Sequence, residues 1–468
     1  MSGEGAERGR VIGGAGALTL VVGSMLGVGI FLAPPVVAGH VASPALFLAL
    51  WVVGGVVALA GAVACAELGT LLPRSGGDYV FQRAAFGPAT AFASGWVLFA
   101  AIFAGSIAAL SVALVQYQLP VLLGADLTRP LLPGLGVTLR EVVAAGIVLA
   151  FTAVSLTGAR LSAAVQTAMT VLPLLAFLAL AVAALVLVEP AAPRPPGAAA
   201  PSLDAGGLAR SYNAVYFAYS GWINVIYVAG EVRRPERSLP RALIGGTLVV
   251  TALYLVICVA FVTRLGMVDL AQAGEAGSAL AERVGGPWAR WLLTACIAAA
   301  LLASVNATVL GGARILRAMA ADGAAARWLG AEARPGVPAR ALWVQAAWSV
   351  ALVLSGGFDA LLQMVSVAMV VTGSLTVGSL FVLRRREPAA PRPYRATGYP
   401  WLPALYLVAS LALVVVMLAT SLARDPPELL PLLGLAVLGV AYAVARLGAR
   451  RSPAPLKVRA RRSRGRRP

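Results

Sequence analysis

Apolar residues run along this chain in blocks of about twenty, separated by short polar stretches, over nearly its whole length. A bilayer core about 30 Å thick is crossed by roughly 20 apolar helical residues, so each block predicts a membrane-spanning helix. Twelve spans are expected, over 12–36, 44–70, 88–119, 139–158, 162–188, 209–230, 239–264, 287–318, 340–356, 359–383, 400–423 and 428–447. The connections are short except for AAPRPPGAAAPS after span five and the stretches around 269–286 and 322–338. None has room for a separate soluble domain, so function is expected within the helix bundle.

Composition agrees with the pattern. Of 468 residues, 60% are hydrophobic and 12% charged, against about 25% charged in ordinary soluble domains. The polar leader lacks a small-residue cleavage site, so the first span is expected to stay in the protein. The formal net charge of +18 would suggest a nucleic-acid partner in a soluble protein, but its distribution points to topology. With the amino terminus in the cytoplasm, 29 of the 37 basic residues fall on the inner side and 8 on the outer. The positive-inside rule therefore predicts a multi-pass protein of the cell (inner) membrane with both termini cytoplasmic. The tail PLKVRARRSRGRRP is expected to lie disordered near anionic headgroups, with no nucleic acid as partner.

Little in the sequence suits catalysis. Cys65, Cys258 and Cys296 are scattered through apolar spans, too few for a disulfide framework or a thiolate metal site. His40, the one histidine, lies in a short outer loop and cannot by itself complete a metal site or a nucleophile-base pair. No enzyme activity, metal or cofactor is predicted.

Two spans are interrupted where a helix should be most regular. In span one, GSMLGVGIFLAPP places Gly23, Gly27 and Gly29 ahead of Pro34 and Pro35. In span six, FAYSGW places Ser220 and Gly221 inside an aromatic and apolar run. The expected topology orients these two spans oppositely, which is the sequence pointer to an inverted-repeat transporter with a midplane substrate site. Unwound backbone at membrane depth must face protein, water or a ligand. At Gly27-Val28-Gly29-Ile30 the second half-helix begins, presenting amides and a positive dipole end suited to a carboxylate. Carbonyls near Met25, and near Phe217, Ala218 and Ser220, end the first halves and suit an ammonium group. Together these groups describe the backbone of an α-amino acid. Glycine spacing of this kind also serves close helix packing, and Gly23 with Gly27 fits that use.

The same residues carry a resemblance. GSMLGVGIF resembles the first-helix motif of the amino acid-polyamine-organocation (APC) superfamily. AELGTLLPRSGGDYVFQRAAFG (66–87), FAYSGW followed by GEVRRPERSLPRAL (230–243), and RILRAMAADG (314–323) agree with it, most closely with the bacterial L-type amino acid transporter branch. The resemblance implies an all-α membrane protein of 12 transmembrane helices, a five-plus-five inverted repeat of the leucine-transporter type with helices 1 and 6 discontinuous. Residues 1–11 would be a cytoplasmic leader, 12–188 the first repeat, 189–208 an outer loop, 209–383 the second repeat, 400–447 helices 11 and 12, and 448–468 the basic tail. It implies that amides of Gly27, Val28 and Gly29 bind the substrate carboxylate and that carbonyls of Met25, Phe217, Ala218 and Ser220 bind its ammonium. Phe217 matches the aromatic residue that closes over the substrate from outside, whose alternative is a packed core aromatic. Ile30, Gly221 and Trp222 complete the expected site, Trp222 as a wall of the side-chain pocket, and Asn224 could bond across helices.

Two positions depart from the family pattern. Val28 stands where the L-type branch commonly has Ser, and Pro173 stands where many relatives place a Lys. The single lysine is Lys457, in the tail, so no embedded ammonium can take the place of a sodium ion. Ser304 and Thr308 share a helix face and resemble hydroxyls that hold sodium in other members of the fold, although such groups commonly bond to their own backbone. Proton coupling or exchange is favoured over sodium, and the coupling ion itself stays open.

Glu67 and Glu231 are the carboxylates nearest membrane depth, each beside arginines: Arg74 for the first, Arg233 or Arg314 for the second. They are expected as inner-gate ion pairs or structural caps, with a proton relay as the alternative. The predicted function is secondary active transport of amino acids by alternating access. Neutral L-amino acids are favoured because the interrupted segments hold no charged side chain. An amine or polyamine permease and a non-transporting amino acid receptor are the alternatives.

Overall fold

The computed structural model describes residues 10–27, 29–132, 137–191, 204–334, 336–355 and 358–422. Val28, the leader before Arg10, span twelve and the basic tail lie outside the described residues. Helix dominates. Among the described residues, eight helical stretches are long and apolar enough to cross a membrane, and Ala339–Ser355 and Trp401–Met417 are shorter apolar helices.

In chain order the elements are α1 (Gly14–Met25), α2 (Gly29–Ala38), α3 (Pro44–Leu71) and α4 (Asp78–Phe86). Then come α5 (Pro88–Leu123), the short β1 (Pro130–Leu132) and β2 (Val137–Thr138), α6 (Leu139–Thr157) and α7 (Ala159–Leu187). The remainder are α8 (Ala205–Ala218), α9 (Asn224–Tyr227), α10 (Pro235–Leu265), α11 (Ala276–Ala321), α12 (Ala339–Ser355), α13 (Phe358–Arg386) and α14 (Trp401–Leu422). β1 and β2 pair antiparallel, Pro130 opposite Thr138, as a small ribbon before α6.

Local chemistry sets many of these ends. Ser43 caps α3 by accepting from the Leu46 amide, with Pro44 at the first helical position where its missing N–H costs nothing. Thr138 and Glu141 form a reciprocal capping box on α6, and Asp204 caps α8 by accepting from the Gly207 amide at 2.6 Å. α11 is two helices joined at a kink, since Gly285 and Gly286 leave helical angles just before Pro287. Its second part begins where the sequence predicts span eight. α5 and α10 contain wider π-turns, at Leu98–Phe103 and Leu114–Gln118 and at Arg241–Gly245 and Phe261–Leu265, which re-aim side chains within an otherwise continuous helix.

Burial separates inner from outer helices. α11 is buried almost throughout its second half and packs along α7, α1 and α5. α7 buries one stripe, including Gln166, Thr170 and Pro173, and leaves Leu172, Leu175 and Val186 exposed. An exposed apolar face of this length on a spanning helix suits lipid tails.

Candidate functional site

Both interrupted spans are broken in the structure. α1 stops at Met25, where Leu26 turns to extended angles, and α2 starts at Gly29. α8 stops at Ala218, a turn occupies 219–223, and only the four-residue α9 and a 3₁₀ turn at Ala229–Glu231 follow. The two breaks touch through backbone. A Cβ on Gly29 would stand 2.7 Å from the Ala218 Cα, and one on Gly221, whose φ is +101°, would run into the Ser24 carbonyl. Glycine is required at both positions for the chains to cross this closely. Gly23 has another use, because a Cβ there would collide with Thr170 and Gln166 of α7.

A cavity of about 110 Å³ lies at the crossing. Of the predicted site residues, Met25, Gly27, Gly29, Phe217, Ala218, Ser220, Gly221 and Trp222 line it. Ile30 is fully buried without lining it, and Val28 lies outside the described residues. Asn224 joins the lining. Trp222 is walled in by Gly61 of α3 and meets Tyr406 edge-on at 6.3 Å.

The carbonyls are more occupied than expected. The Phe217 carbonyl accepts from the Ser220 amide at 3.0 Å and from the Ser220 hydroxyl at 2.6 Å, closing the turn. The Met25 and Ala218 carbonyls converge on one donor, the Tyr254 hydroxyl of α10, at 2.6 and 3.2 Å. Tyr254 thus marks the point to which both negative helix ends are aimed. Sequence reasoning missed it, although a lone tyrosine in the apolar run of span seven signals a hydroxyl that must find a partner.

Ser304 and Thr308 of α11 also line the cavity. The Ser304 hydroxyl lies 2.9 Å from the Gly23 carbonyl and 3.1 Å from that of Leu26, in position to donate to either, while Thr308 donates to the Ser304 carbonyl at 2.7 Å. Ser304 therefore caps the end of α1, while Thr308 bonds back to its own helix. Pro173 is buried in α7, and α7 and α11 are joined by amides: Asn306 donates to the Ser162 carbonyl and to Gln166 Oε1, each at 2.9 Å.

Glu67 and Glu231 sit away from the cavity, each in a buried ion pair. Arg314 grips Glu231 with two bonds of 2.5 and 2.8 Å. Glu67 receives Arg384 at 2.5 and 3.0 Å and the Ala396 amide at 2.6 Å, with Arg392 Nε also 3.0 Å away. Arg74, the partner suggested by chain proximity, instead stands 3.9 Å from Asp322, which Arg83 approaches to 3.2 Å. His40 accepts from Arg210 at 3.0 Å, so it is tied to the start of α8. Among the described residues, no group of three or more His, Cys, Asp or Glu is placed to hold a metal ion.

A further lining residue, Asp78, went unremarked in the sequence. It is 3% exposed and starts α4, in the segment between α3 and α5. Its Oδ2 accepts from the Tyr227 hydroxyl at 2.8 Å, while its Oδ1 has no hydrogen-bond partner. The neutral-substrate expectation assumed a pocket without an acid, and Asp78 removes that assumption.

Known amino acid transporters are similar to the chain in sequence. The chain is 28% identical over 432 residues to the serine/threonine exchanger SteT of Bacillus subtilis, covering 91% of this chain and 94% of that protein. It is 28% identical over 405 residues to the mouse Asc-type amino acid transporter 1, covering 85% and 74%. The human cystine/glutamate transporter is 28% identical over 414 residues, covering 87% and 79%. The amino acid permease family profile matches residues 12–440. The chain is thus an amino acid permease of the APC superfamily, a membrane transporter and not an enzyme.

Proposed function

We propose that this permease is a secondary active transporter of neutral L-amino acids that works by alternating access around the crossing of its two broken helices. One observation carries the reading: the start of α2 and the ends of α1 and α8 line a single cavity, with the Met25 and Ala218 carbonyls converging on the buried Tyr254 hydroxyl. A zwitterion placed there would direct its carboxylate to the Gly27–Gly29 amides and its ammonium to the Met25 and Ala218 carbonyls, displacing or sharing the Tyr254 hydroxyl. Phe217, part of the lining, would close over it. One relative is named a serine/threonine exchanger, which supports small neutral substrates, although another is named a cystine/glutamate transporter. Two halves of opposite orientation, 12–188 and 209–383, would rock about this point, with both termini in the cytoplasm of a cell (inner) membrane. Ser304, which caps carbonyls of α1, favours a proton or exchange over sodium as the coupling partner.

The test is uptake by the purified chain in liposomes, using labelled serine, alanine, leucine, arginine and glutamate, with and without internal amino acid, sodium or a proton gradient. Uptake of the neutral members is expected, competed by amino acids and not by their decarboxylated amines. Competition by the amines alone would assign an amine permease. Binding without flux would assign a receptor.

A further inference from the structure

Asp78 is delivered into the bundle by the turn Ser75-Gly76-Gly77. A Cβ on Gly76 would stand 2.7 Å from that of Ala318, and one on Gly77 would enter the Tyr227 ring. Both glycines have positive φ, +121° and +53°, and the Gly76 amide donates to the Tyr227 carbonyl at 3.0 Å. The acid is therefore pressed against the segment that follows the break between α8 and α9.

Among the described residues, its surroundings hold acceptors and weak acids but no counter-ion. Tyr227 of α9, Tyr216 of α8, Tyr406 of α14 and Cys65 of α3 all feel its charge. From α13, Thr376 stands nearby and accepts from Gln82 at 2.9 Å. The guanidiniums near it on the elements packed against α4 have other partners or face out: Arg314 pairs with Glu231, Arg317 with Glu332 and Arg384 with Glu67, Arg386 donates to the Ala85 carbonyl, and Arg385 is exposed. Arg83 of α4 itself faces Asp322 and Tyr79. Four residues along the same helix, the Gln82 Oε1 is another buried oxygen without a donor. A buried carboxylate with one satisfied oxygen and no cation is costly, and taking up a proton both removes the charge and supplies a donor. Burial pushes the carboxyl up to about 7; the Tyr227 hydrogen bond acts against this, as does Thr376, which stands near without completing a bond to Oδ1.

We propose that Asp78 is a proton-binding site of the transport cavity, loaded on Oδ1 from water on one side and emptied on the other as the chain carries its amino acid. This rests on the transport reading above. The proton is taken up and released unchanged, so the cycle needs no other reactant. Tyr227 makes the coupling physical, because it bonds to Asp78 and belongs to the stretch that must move when the broken helices rearrange.

The experiment has two readouts on the full chain in lipid. Infrared pH-difference spectra should show a protonated-carboxyl band titrating near neutral pH, lost in Asp78→Asn and restored in Asp78→Glu. Tyr227→Phe removes a hydrogen bond that favours the charged form, so its midpoint should move to higher pH. In liposomes holding a pH-sensitive dye, L-serine should drive proton entry, and Asp78→Asn should abolish that entry. Between pH 6 and pH 8 the protonated fraction of such a group falls about tenfold, and serine uptake should fall with it. No titrating band near neutrality, or serine uptake without proton movement, would overturn the proposal. So would a band that responds to L-arginine and not to pH, which would make Asp78 a contact for a substrate side chain. Failure of every amino acid to enter, with the titrating band intact, would overturn the transport reading and leave the proton-binding group in place.

Discussion

At Gly221 the backbone itself forbids a side chain. Its φ of +101° strains any L residue, and an added Cβ would meet the Ser24 carbonyl where the two breaks cross. Gly27, two residues before Gly29 on the other break, has room: its nearest neighbour would be the Ser304 hydroxyl at 3.5 Å. Gly221→Ala should therefore lose about 1–3 kcal/mol and lower the melting temperature together with serine uptake. Gly27→Ala should melt like the wild type yet lose uptake, because its methyl enters the cavity. Melting and uptake measured on both variants check the contrast, and equal melting loss in the two would refute it. The glycines were legible in the sequence because backbone freedom is a property of the residue type. Asp78 and Tyr254 were not, since one polar group in an apolar stretch gains its meaning from partners 149 and 229 positions away.

Between elements, the Glu231–Arg314 pair joins the end of broken span six to α11, with both side chains almost wholly buried. Removing one member leaves the other charge buried without its partner, which costs about 3–5 kcal/mol, whereas replacing both by apolar residues of similar size is often neutral. Glu231→Gln should thus lower the melting temperature of the purified protein strongly, and adding Arg314→Leu to Glu231→Leu should recover most of the loss seen in Arg314→Leu alone. A double variant as unstable as either single would show that the pair has further obligations. Periodicity found these helices because apolar length is a local property: Ala339–Ser355 and Trp401–Leu422 fall within a residue of their expected bounds. Partner choice is not local. Glu67 lies seven positions from Arg74, yet its partner Arg384 is 317 positions away, because α3 and α13 end side by side.

At the scale of the molecule, and among the described residues, the ion pairs of Glu67, Glu231 and Asp322 lie at the end of the bundle that the charge pattern predicts for the cytoplasm, while Arg140–Glu141, Arg283–Asp269 and Arg290–Glu282 lie toward the other. Glu67 ties α3 to α13 and to the segment leading into α14, Glu231 ties span six to α11, and Arg83 ties α4 to the residue after α11. On the alternating-access proposal the cavity would open toward the predicted cytoplasmic end by parting these ties, so weakening one should shift the population toward the open form. Cys65 is a native reporter, fully buried in α3 two residues before Glu67. With Cys258 and Cys296 replaced by Ala, Glu67→Gln should raise the rate at which a thiol reagent labels Cys65, and serine added to the liposomes should change that rate. The wild-type rate should stay low, because Arg384 and Arg392 hold the carboxylate from two elements at once. Equal labelling with and without the Glu67 charge would mean that the tie fastens α13 and the following segment permanently to α3, and that the moving surface lies along α4 and α11.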